Sequence, residues 1–306
     1  MTGQAGEISE RVEAPSVEAT SAATRPLYWS VRRELWESRS IYAAPLAVAA
    51  LFLFGFLISL VRLPEQMRVA MALDVQKQHE ALMQPYDFAA LAIMATSFLV
   101  ALLYCVDALS SERRDRSVLF WKSLPVSDRT AVLAKASIPL IVIQLLSFAI
   151  TVVTQGIMLL VSTAVLAGNG LSATTLWAQV PLFQMWWMLL YHYLTVHALW
   201  YAPIYAWLLM VSAWARRAAF LWASLPLLAI CILERLAFNT THFVDLLEHR
   251  IAGAPEAVMS TARGLPIDPM AHLTPVAFLT APGLWLGLAV AAVFIATAIR
   301  LRRYRA

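Results

Sequence analysis

The sequence predicts an all-α polytopic membrane protein with six transmembrane helices, both termini in the cytoplasm and an amphipathic helix before the first span. Of its 306 residues, 60% are hydrophobic and 14% are charged, against roughly 45–50% and about 25% in an average soluble chain. Mean hydropathy is +0.68. No Asp, Glu, Lys or Arg occurs from Ala136 to Ala215. A soluble protein would have to hydrate that surface, so we expect the chain to lie in a bilayer.

Residues 1–25 predict a disordered cytoplasmic tail. They are rich in Ala, Ser, Thr and Glu and contain no aromatic residue, a composition that does not support a packed core. They also lack the apolar stretch of a cleavable signal peptide. Residues 26–306 predict a single membrane domain.

The segment Pro26–Ser40 (PLYWSVRRELWESRS) predicts an amphipathic helix that lies on the membrane surface. Leu27, Val31 and Leu35 recur at i, i+4 and i+8 and form one apolar face. The basic residues fall on the wetter sides: Arg32, Arg33 and Arg39. Helices of this kind lie in the plane of the interface.

Six apolar segments meet the length of about 20 residues that a membrane crossing requires. They are residues 40–61, 88–109, 138–165, 183–214, 218–236 and 282–299. The long uncharged run divides at Leu166–Thr175, where Gly, Asn, Ser and Thr favour a turn, and Pro203 predicts a kink in the fourth span. The absence of period-2 alternation disfavours strands.

Lysine and arginine are concentrated in the segments that we assign to the cytoplasm. The N-terminal region and residues 110–135, 215–217 and 300–306 hold 17 of the 23. The opposite loops, 62–87 and 237–281, hold three and two, so the positive-inside rule predicts that both termini are cytoplasmic. Basic residues beside apolar runs also explain the net charge of +4, and we expect no nucleic-acid partner.

The two longer external loops have more apolar content than a simple connection requires. The 62–87 loop predicts a short helix lying against the bundle. The second half of the 237–281 loop, which is apolar and interrupted by prolines, is expected either to dip into the membrane or to pack over it.

Enzyme signatures are absent from the sequence. It contains no G-x-x-x-x-G-K-[ST], no H-E-x-x-H and no G-x-S-x-G, and its two cysteines are too few for a disulfide framework or a paired CxxC metal site. We therefore expect no catalytic residue, no metal and no enzymatic activity on this chain.

The cytoplasmic loop between the second and third spans predicts a short amphipathic helix that begins at Glu112. Phe120 and Leu124 share one face at i, i+4 with Trp121 alongside, and Pro125 ends the helix. Two interpretations remain open. The helix is either an interfacial anchor, held by Trp121 and the arginines on lipid headgroups, or a docking element for a soluble partner.

The run SSERRDRSVLFWKSLPVSDRTAVLAK in this loop resembles the first cytoplasmic loop of ABC-2 type ABC-transporter permeases, whose usual form is a charged stretch followed by an "sLPvs" motif. Many relatives carry a Gly-Thr pair after the charged stretch, whereas Arg116 and Ser117 stand here. Six spans with both ends inside, preceded by an amphipathic helix, fit the same family over residues 26–306.

The resemblance implies roles for two groups of residues. Those expected to couple the chain to an ATPase are Glu112, Arg113, Arg114, Arg116, Phe120, Trp121 and Leu124. Those of the expected connecting helix are Trp29, Arg32, Arg33 and Trp36. The two aromatic residues of the loop would fill the interface, where buried aromatics often dominate binding, and Glu112 and the arginines would set register at its rim.

The resemblance also implies the function. The chain would be the permease subunit of an exporter in the inner (plasma) membrane of a bacterium. Its partners would be an ABC ATPase subunit, a second permease copy or a homologous permease, and the lipid bilayer. ATP and Mg would bind to the ATPase, leaving no cofactor on this chain.

The fourth span is rich in aromatic residues and contains three candidate pathway-lining residues, His192, His197 and Tyr201. In an α-helix the two histidines lie on faces roughly 140° apart. That separation favours packing and interhelical hydrogen bonds over substrate contact, which remains the alternative. For the whole chain the alternative function is a non-transporting scaffold or sensor that recruits a cytoplasmic partner through residues 110–135, and an intramembrane enzyme ranks third.

Overall fold

A computed structural model describes residues 26–114, 127–215, 217–252 and 275–305. Over these ranges the chain is about 90% helical and contains no strand, which confirms the predicted all-α class. The first half contains α1 (Pro26–Glu37), α2 (Ser40–Ser59), α3 (Leu63–Met71), α4 (Val75–Asp107), α5 (Ser110–Arg114), α6 (Asp128–Ser137) and α7 (Ile143–Gly168). The second half contains α8 (Thr174–Gln179), α9 (Leu182–His192), α10 (Ala202–Trp214), α11 (Ala219–Phe238), α12 (His242–Ala252), α13 (Pro275–Thr280) and α14 (Pro282–Arg305).

Five helical stretches of the described chain are long and apolar enough to cross a membrane, and a sixth stretch qualifies if a bent pair counts as one span. The stretches contain α2, α4, α6 with α7, α9 with α10, α11 and α14. Each corresponds to one segment predicted from the sequence. This is the architecture of a helical membrane protein.

The fourth stretch is bent by 47° where α10 begins. Pro203 lies in the first turn of α10, where its missing N–H leaves the preceding turn without a hydrogen bond, so the predicted kink is confirmed. A π-helix, Tyr193–Trp200, precedes the bend. A second π-helical turn, Ile138–Val142, joins α6 to α7.

Helix α4 extends beyond the thickness of a bilayer. The 33 residues of α4 give a length of about 50 Å, whereas the hydrocarbon core is about 30 Å thick. The short helix predicted in the 62–87 loop is present as α3, which buries Met67 and Ala70; that it lies outside the membrane stays a prediction. The second half of that loop is not a separate element, because the helix of the second span already begins at Val75.

A buried glutamine joins three helices near this end of the bundle. The side chain of Gln155 donates to the carbonyl of Tyr86 at 3.0 Å and accepts from the indole of Trp186 at 2.9 Å. The NH₂ group and the carbonyl oxygen of its buried side-chain amide each have a hydrogen-bond partner, as buried polar groups usually do. The contact fixes α7 against α4 and α9.

Small residues bring α10 and α14 together. Ala202 and Ala206 pack against Ala291 in one layer, and Ala213 packs beside Ala298 nearer the C-terminus. Alanine lets helix axes approach closely, which is a common way for membrane helices to gain dispersion contacts. Among the described helices this pair shares the most extensive contact.

Helix α11 is the most peripheral spanning helix. It buries only Ala219 and Ala223, and the Trp207 indole donates to the carbonyl of Ala223 at 3.2 Å. Most of the remaining apolar side chains of α11 are exposed, as expected of a helix that faces lipid or another membrane protein.

Three sequence predictions fall wholly or largely outside the described residues. They concern the tail at 1–25, the amphipathic helix predicted after Glu112, and most of the apolar half of the 237–281 loop, where the described chain stops at Ala252 and resumes at Pro275.

Candidate functional site

Four charged side chains from four helices meet at one end of the bundle; three are buried and that of Arg302 is partly buried. We call them the charged cluster: Glu34 of α1, Glu112 of α5, Lys135 of α6 and Arg302 of α14. Their side chains are 3–10% exposed. Ionised groups are almost never buried to this degree unless they are paired.

The ion pairs form a continuous chain across the cluster. The Lys135 ammonium lies 2.8 Å from Glu34 Oε1 and 3.2 Å from Glu112 Oε1. Glu112 Oε2 lies 2.8 Å from Arg302 Nη1, and Tyr104 donates its hydroxyl to Glu34 Oε2 at 2.9 Å. Two acids and two bases therefore balance, and each carboxylate accepts more than one hydrogen bond or ion pair.

Two less buried residues flank the cluster. Asp128, at the start of α6, accepts from Arg302 Nε at 3.2 Å. Arg33 lies 3.1 Å from Glu37 and 3.9 Å from Glu112. The charged residues thus extend from the buried centre of the cluster towards the surface, through Asp128 on one side and through Arg33 on the other.

Local hydrogen bonds hold the cluster residues in place. Ser127 caps α6 by accepting from the backbone N–H of Thr130 at 3.2 Å, as expected of an N-cap serine. The buried hydroxyl of Ser212 accepts from the backbone N–H groups of Leu109 and Ser110, each at 3.0 Å. This contact ties the turn that leads into α5 to the end of α10.

The structure buries Glu112, which differs from the rim position expected from the sequence. Its carboxylate faces Lys135 and Arg302 and is not directed to the surface. The backbones of Arg113 and Arg114 complete α5. The other coupling residues lie outside the described residues: Arg116, Phe120, Trp121 and Leu124.

The predicted amphipathic helix is present as α1, and one of its faces is aromatic and exposed. Arg32 lies between Trp29 and Trp36, with its guanidinium carbon 5.3 and 5.1 Å from the two ring centroids. Trp36 is 71% exposed. The opposite face packs Val31 and Leu35 against the core. Arg33 belongs to the edge of the charged cluster.

The three pathway candidates lie together in the fourth span, on or beside its π-helix. The rings of His192 and His197 are 6.2 Å apart, and His197 also contacts Tyr201 at 5.5 Å. The expected separation of the two histidines is wrong, because residues five apart are hydrogen-bonded neighbours in a π-helix. His197 is buried, and its ring contacts that of Phe98.

Tyr201 connects the fourth span to α12. Its hydroxyl donates to the carbonyl of Ile251 at 2.9 Å. Beside it, the guanidinium of Arg250 lies 4.3 Å from the ring centroid of Trp200 and donates to the carbonyl of Gly283 at 2.9 Å. Desolvation lowers the pKa of Arg250. This arrangement holds α12 against the bundle.

The sequence analysis missed Glu34, Lys135 and Arg302 as site residues. Glu34 stands in a basic helix and suggests only a surface charge. Lys135 is the last charged residue before the long uncharged run. Its position indicates where a span begins but does not identify an ion-pair partner. The signal for Arg302 was equally general, since it is one of four arginines in the last seven residues.

The fold and the charged cluster define a helical membrane protein in which one end of the bundle is fastened by buried ion pairs. Comparisons of the chain with protein-family models, with curated proteins and with solved structures give no match. Within the described residues no group of three or more His, Cys, Asp or Glu side chains is placed to hold a metal ion.

Proposed function

We propose that the chain is the transmembrane permease subunit of an ABC-2 type ABC transporter. It forms half of an export pathway and is driven by a separate ATPase subunit. The sequence has no phosphate-binding motif of the G-x-x-x-x-G-K-[ST] type, so energy from ATP would reach it through a protein contact.

One observation carries the proposal. The charged cluster includes residues on both sides of the 115–126 segment, with Glu112 before it and Lys135 after it, and the flanking Asp128 also follows the segment. Their partners are Glu34 of α1 and Arg302 of α14. A displacement of the segment by a docked partner would therefore be transmitted to α1, α6 and α14 together.

Buried ion pairs suit this role because they resist separation. Removing one partner of such a pair leaves an uncompensated buried charge, at a cost of about 3–5 kcal/mol. The elements around the segment would accordingly move as a unit and would not slide past one another. In this proposal the charged-cluster end faces the cytoplasm, in agreement with the distribution of Lys and Arg in the sequence.

Co-expression with the neighbouring reading frames tests the proposal. The tagged chain is extracted in mild detergent and captured, and the proteins that co-purify with it are identified by mass spectrometry. We expect a soluble ATPase with a Walker A motif in stoichiometric amount. A stoichiometric partner without any nucleotide-binding motif would contradict the proposal and would favour the scaffold or sensor.

A further inference from the structure

A groove of about 610 Å³ runs between α4 and α9, at the end of the bundle opposite the charged cluster. Polar residues line its outer part on α4, namely Lys77, His79, Glu80 and Gln84, and His192 lines the groove from α9. Asp87 follows in the middle. The inner part is lined by apolar residues of both helices, among them Met94 and Met188.

Helix geometry explains why these residues share the groove. The α4 residues recur every three or four positions, which places them on one face. At 1.5 Å per residue, Asp87 lies about 15 Å along the helix from Lys77 and about 10 Å from Met94. The distance between Asp87 in the middle of the groove and Met94 in its apolar inner part is thus about the length of a small amphipathic molecule.

Asp87 is the unusual residue of the groove. Its side chain is half-buried, and no hydrogen bond or ion pair joins it to any residue in the described part of the chain. Lys77 is too distant along α4 to neutralise it. Partial removal of a carboxylate from water without a partner raises the free energy of the folded protein, and a bound cation would offset that cost.

The apolar part of the groove is adaptable. Four methionines line it: Met83, Met94, Met185 and Met188. Methionine has flexible torsions and a polarisable sulfur atom, so a methionine-lined surface fits apolar groups of different shapes. The volume lies within the range of about 300–1,000 Å³ found for small-molecule sites.

We propose that this groove binds a hydrophobic cation, a molecule with one positive centre on an apolar body. The cation pairs with Asp87, and the apolar body lies against Met94 and Met188. That such a ligand is a transported substrate rests on the proposed function, whereas the binding site does not.

Binding of tritiated tetraphenylphosphonium to the full chain in phosphatidylcholine nanodiscs tests the site without any ATPase. We expect saturable binding that unlabelled tetraphenylphosphonium displaces. Tetraphenylborate has the same shape and the opposite charge, and it should not displace the probe. Absence of saturable binding, or equal displacement by both ions, would overturn the proposal.

Two variants locate the bound cation. Asp87→Asn should weaken binding by at least about tenfold, because it removes the charge that pairs with the ligand. Asp74→Asn is the matched control, since Asp74 is an exposed carboxylate on the same helix that makes no capping hydrogen bond. Leu91→Trp, which fills the groove, should abolish binding while the protein remains monodisperse. Unchanged affinity in Asp87→Asn and Leu91→Trp would overturn the proposal.

A further experiment distinguishes a membrane lipid from a free molecule as the source of the cation. Phosphatidylethanolamine carries a primary ammonium group, so its addition to the nanodiscs should reduce probe binding if a membrane lipid is the natural ligand. Undiminished binding assigns the site to a free hydrophobic cation. If the chain recruits no ATPase but still binds the probe through Asp87, the proposed function is refuted and the proposed binding site is retained.

Discussion

At the residue scale, Lys135 has the central position in the charged cluster. Its ammonium contacts two carboxylates, those of Glu34 and Glu112, and only 4% of its side chain is exposed. Loss of its charge would leave both carboxylates facing each other with less compensation. The Arg302–Glu112 pair and the Tyr104 hydrogen bond would remain, but neither lies between the two acids.

We expect Lys135→Met to lower the free energy of unfolding by about 3–5 kcal/mol, the usual result of removing one partner from a buried ion pair. Thermal unfolding of the detergent-purified protein measures the loss. Adding Glu34→Gln should recover part of it, because one uncompensated charge is removed and the amide still accepts from Tyr104. Lys77→Met, at an exposed position, is the control. Equal melting temperatures for Lys135→Met and Lys77→Met would show that the cluster contributes nothing.

A second residue-scale prediction concerns Ala218, which begins α11 with φ of 52°. An L-residue with a side chain in this left-handed region costs roughly 1–2 kcal/mol, and glycine avoids most of that strain. Ala218→Gly should therefore raise the melting temperature in the same assay. The matched control is Ala215→Gly, because Ala215 has φ of −70°; there, glycine relieves no strain and should not stabilise. A lower melting temperature for Ala218→Gly would contradict the strain argument.

The sequence predicted residue roles less well than it predicted spans. A span is encoded by many apolar residues in succession, so a single atypical residue hardly changes the prediction of that span. Glu34 and Lys135 meet across a separation of 101 residues, and nothing in the local pattern of either helix identifies the other. Glu112 was taken for a surface charge for the same reason.

At the element scale, the π-helix before α10 illustrates a different limit of prediction from the sequence. The run Tyr193–Trp200 contains nothing that distinguishes it from an α-helix by periodicity, yet the i→i+5 pattern changes which side chains share a face. It brings His192 beside His197. The kink after it was predictable, because a single residue, Pro203, determines it.

Helix α12 is attached to the bundle through Arg250, and Gly287 makes room for that side chain. A Cβ atom at Gly287 would overlap with the guanidinium of Arg250, whereas one at Gly283 would be 3.7 Å from the ring of Trp200, an ordinary contact. We expect Gly287→Ala to displace Arg250 and to weaken the attachment of α12. Hydrogen–deuterium exchange should then be faster in residues 242–252.

Gly283→Ala is the matched control, since it adds the same methyl group to the same helix where space exists. Its exchange rates in α12 should equal those of the unaltered protein. Loss of a cation–π contact of this kind is worth about 1–2 kcal/mol, which corresponds to an increase in exchange of roughly five- to thirtyfold. Identical rates in the two variants would refute the role of Arg250.

At the scale of the whole molecule, the proposed orientation predicts the accessibility of introduced cysteines. Cysteines at positions 72, 172 and 260 should react with a membrane-impermeant maleimide in intact cells. Those at 115, 216 and 306 should react only after permeabilisation. The prediction follows from the excess of Lys and Arg in the proposed cytoplasmic segments. External labelling at position 306 would contradict the six-span topology.

A second whole-molecule prediction concerns assembly. Six spans form half of the proposed pathway, so we expect a homodimer or a pair with a homologous permease. Cross-linking in native membranes should give a band of twice the monomer mass or one containing a second permease. Monomer alone, with the ATPase present, would contradict this assembly.

The most direct test of the account is whether the loop between α5 and α6 couples the chain to an ATPase. The double variant Phe120→Ala with Trp121→Ala is compared with Phe183→Ala with Trp187→Ala, an exposed aromatic pair on α9. Co-purification of the ATPase and ATP hydrolysis by the complex in nanodiscs are measured for each. We expect the loop variant to lose most of the bound ATPase and its hydrolysis, while the α9 variant retains both. Full association and hydrolysis in the loop variant would contradict the proposed coupling.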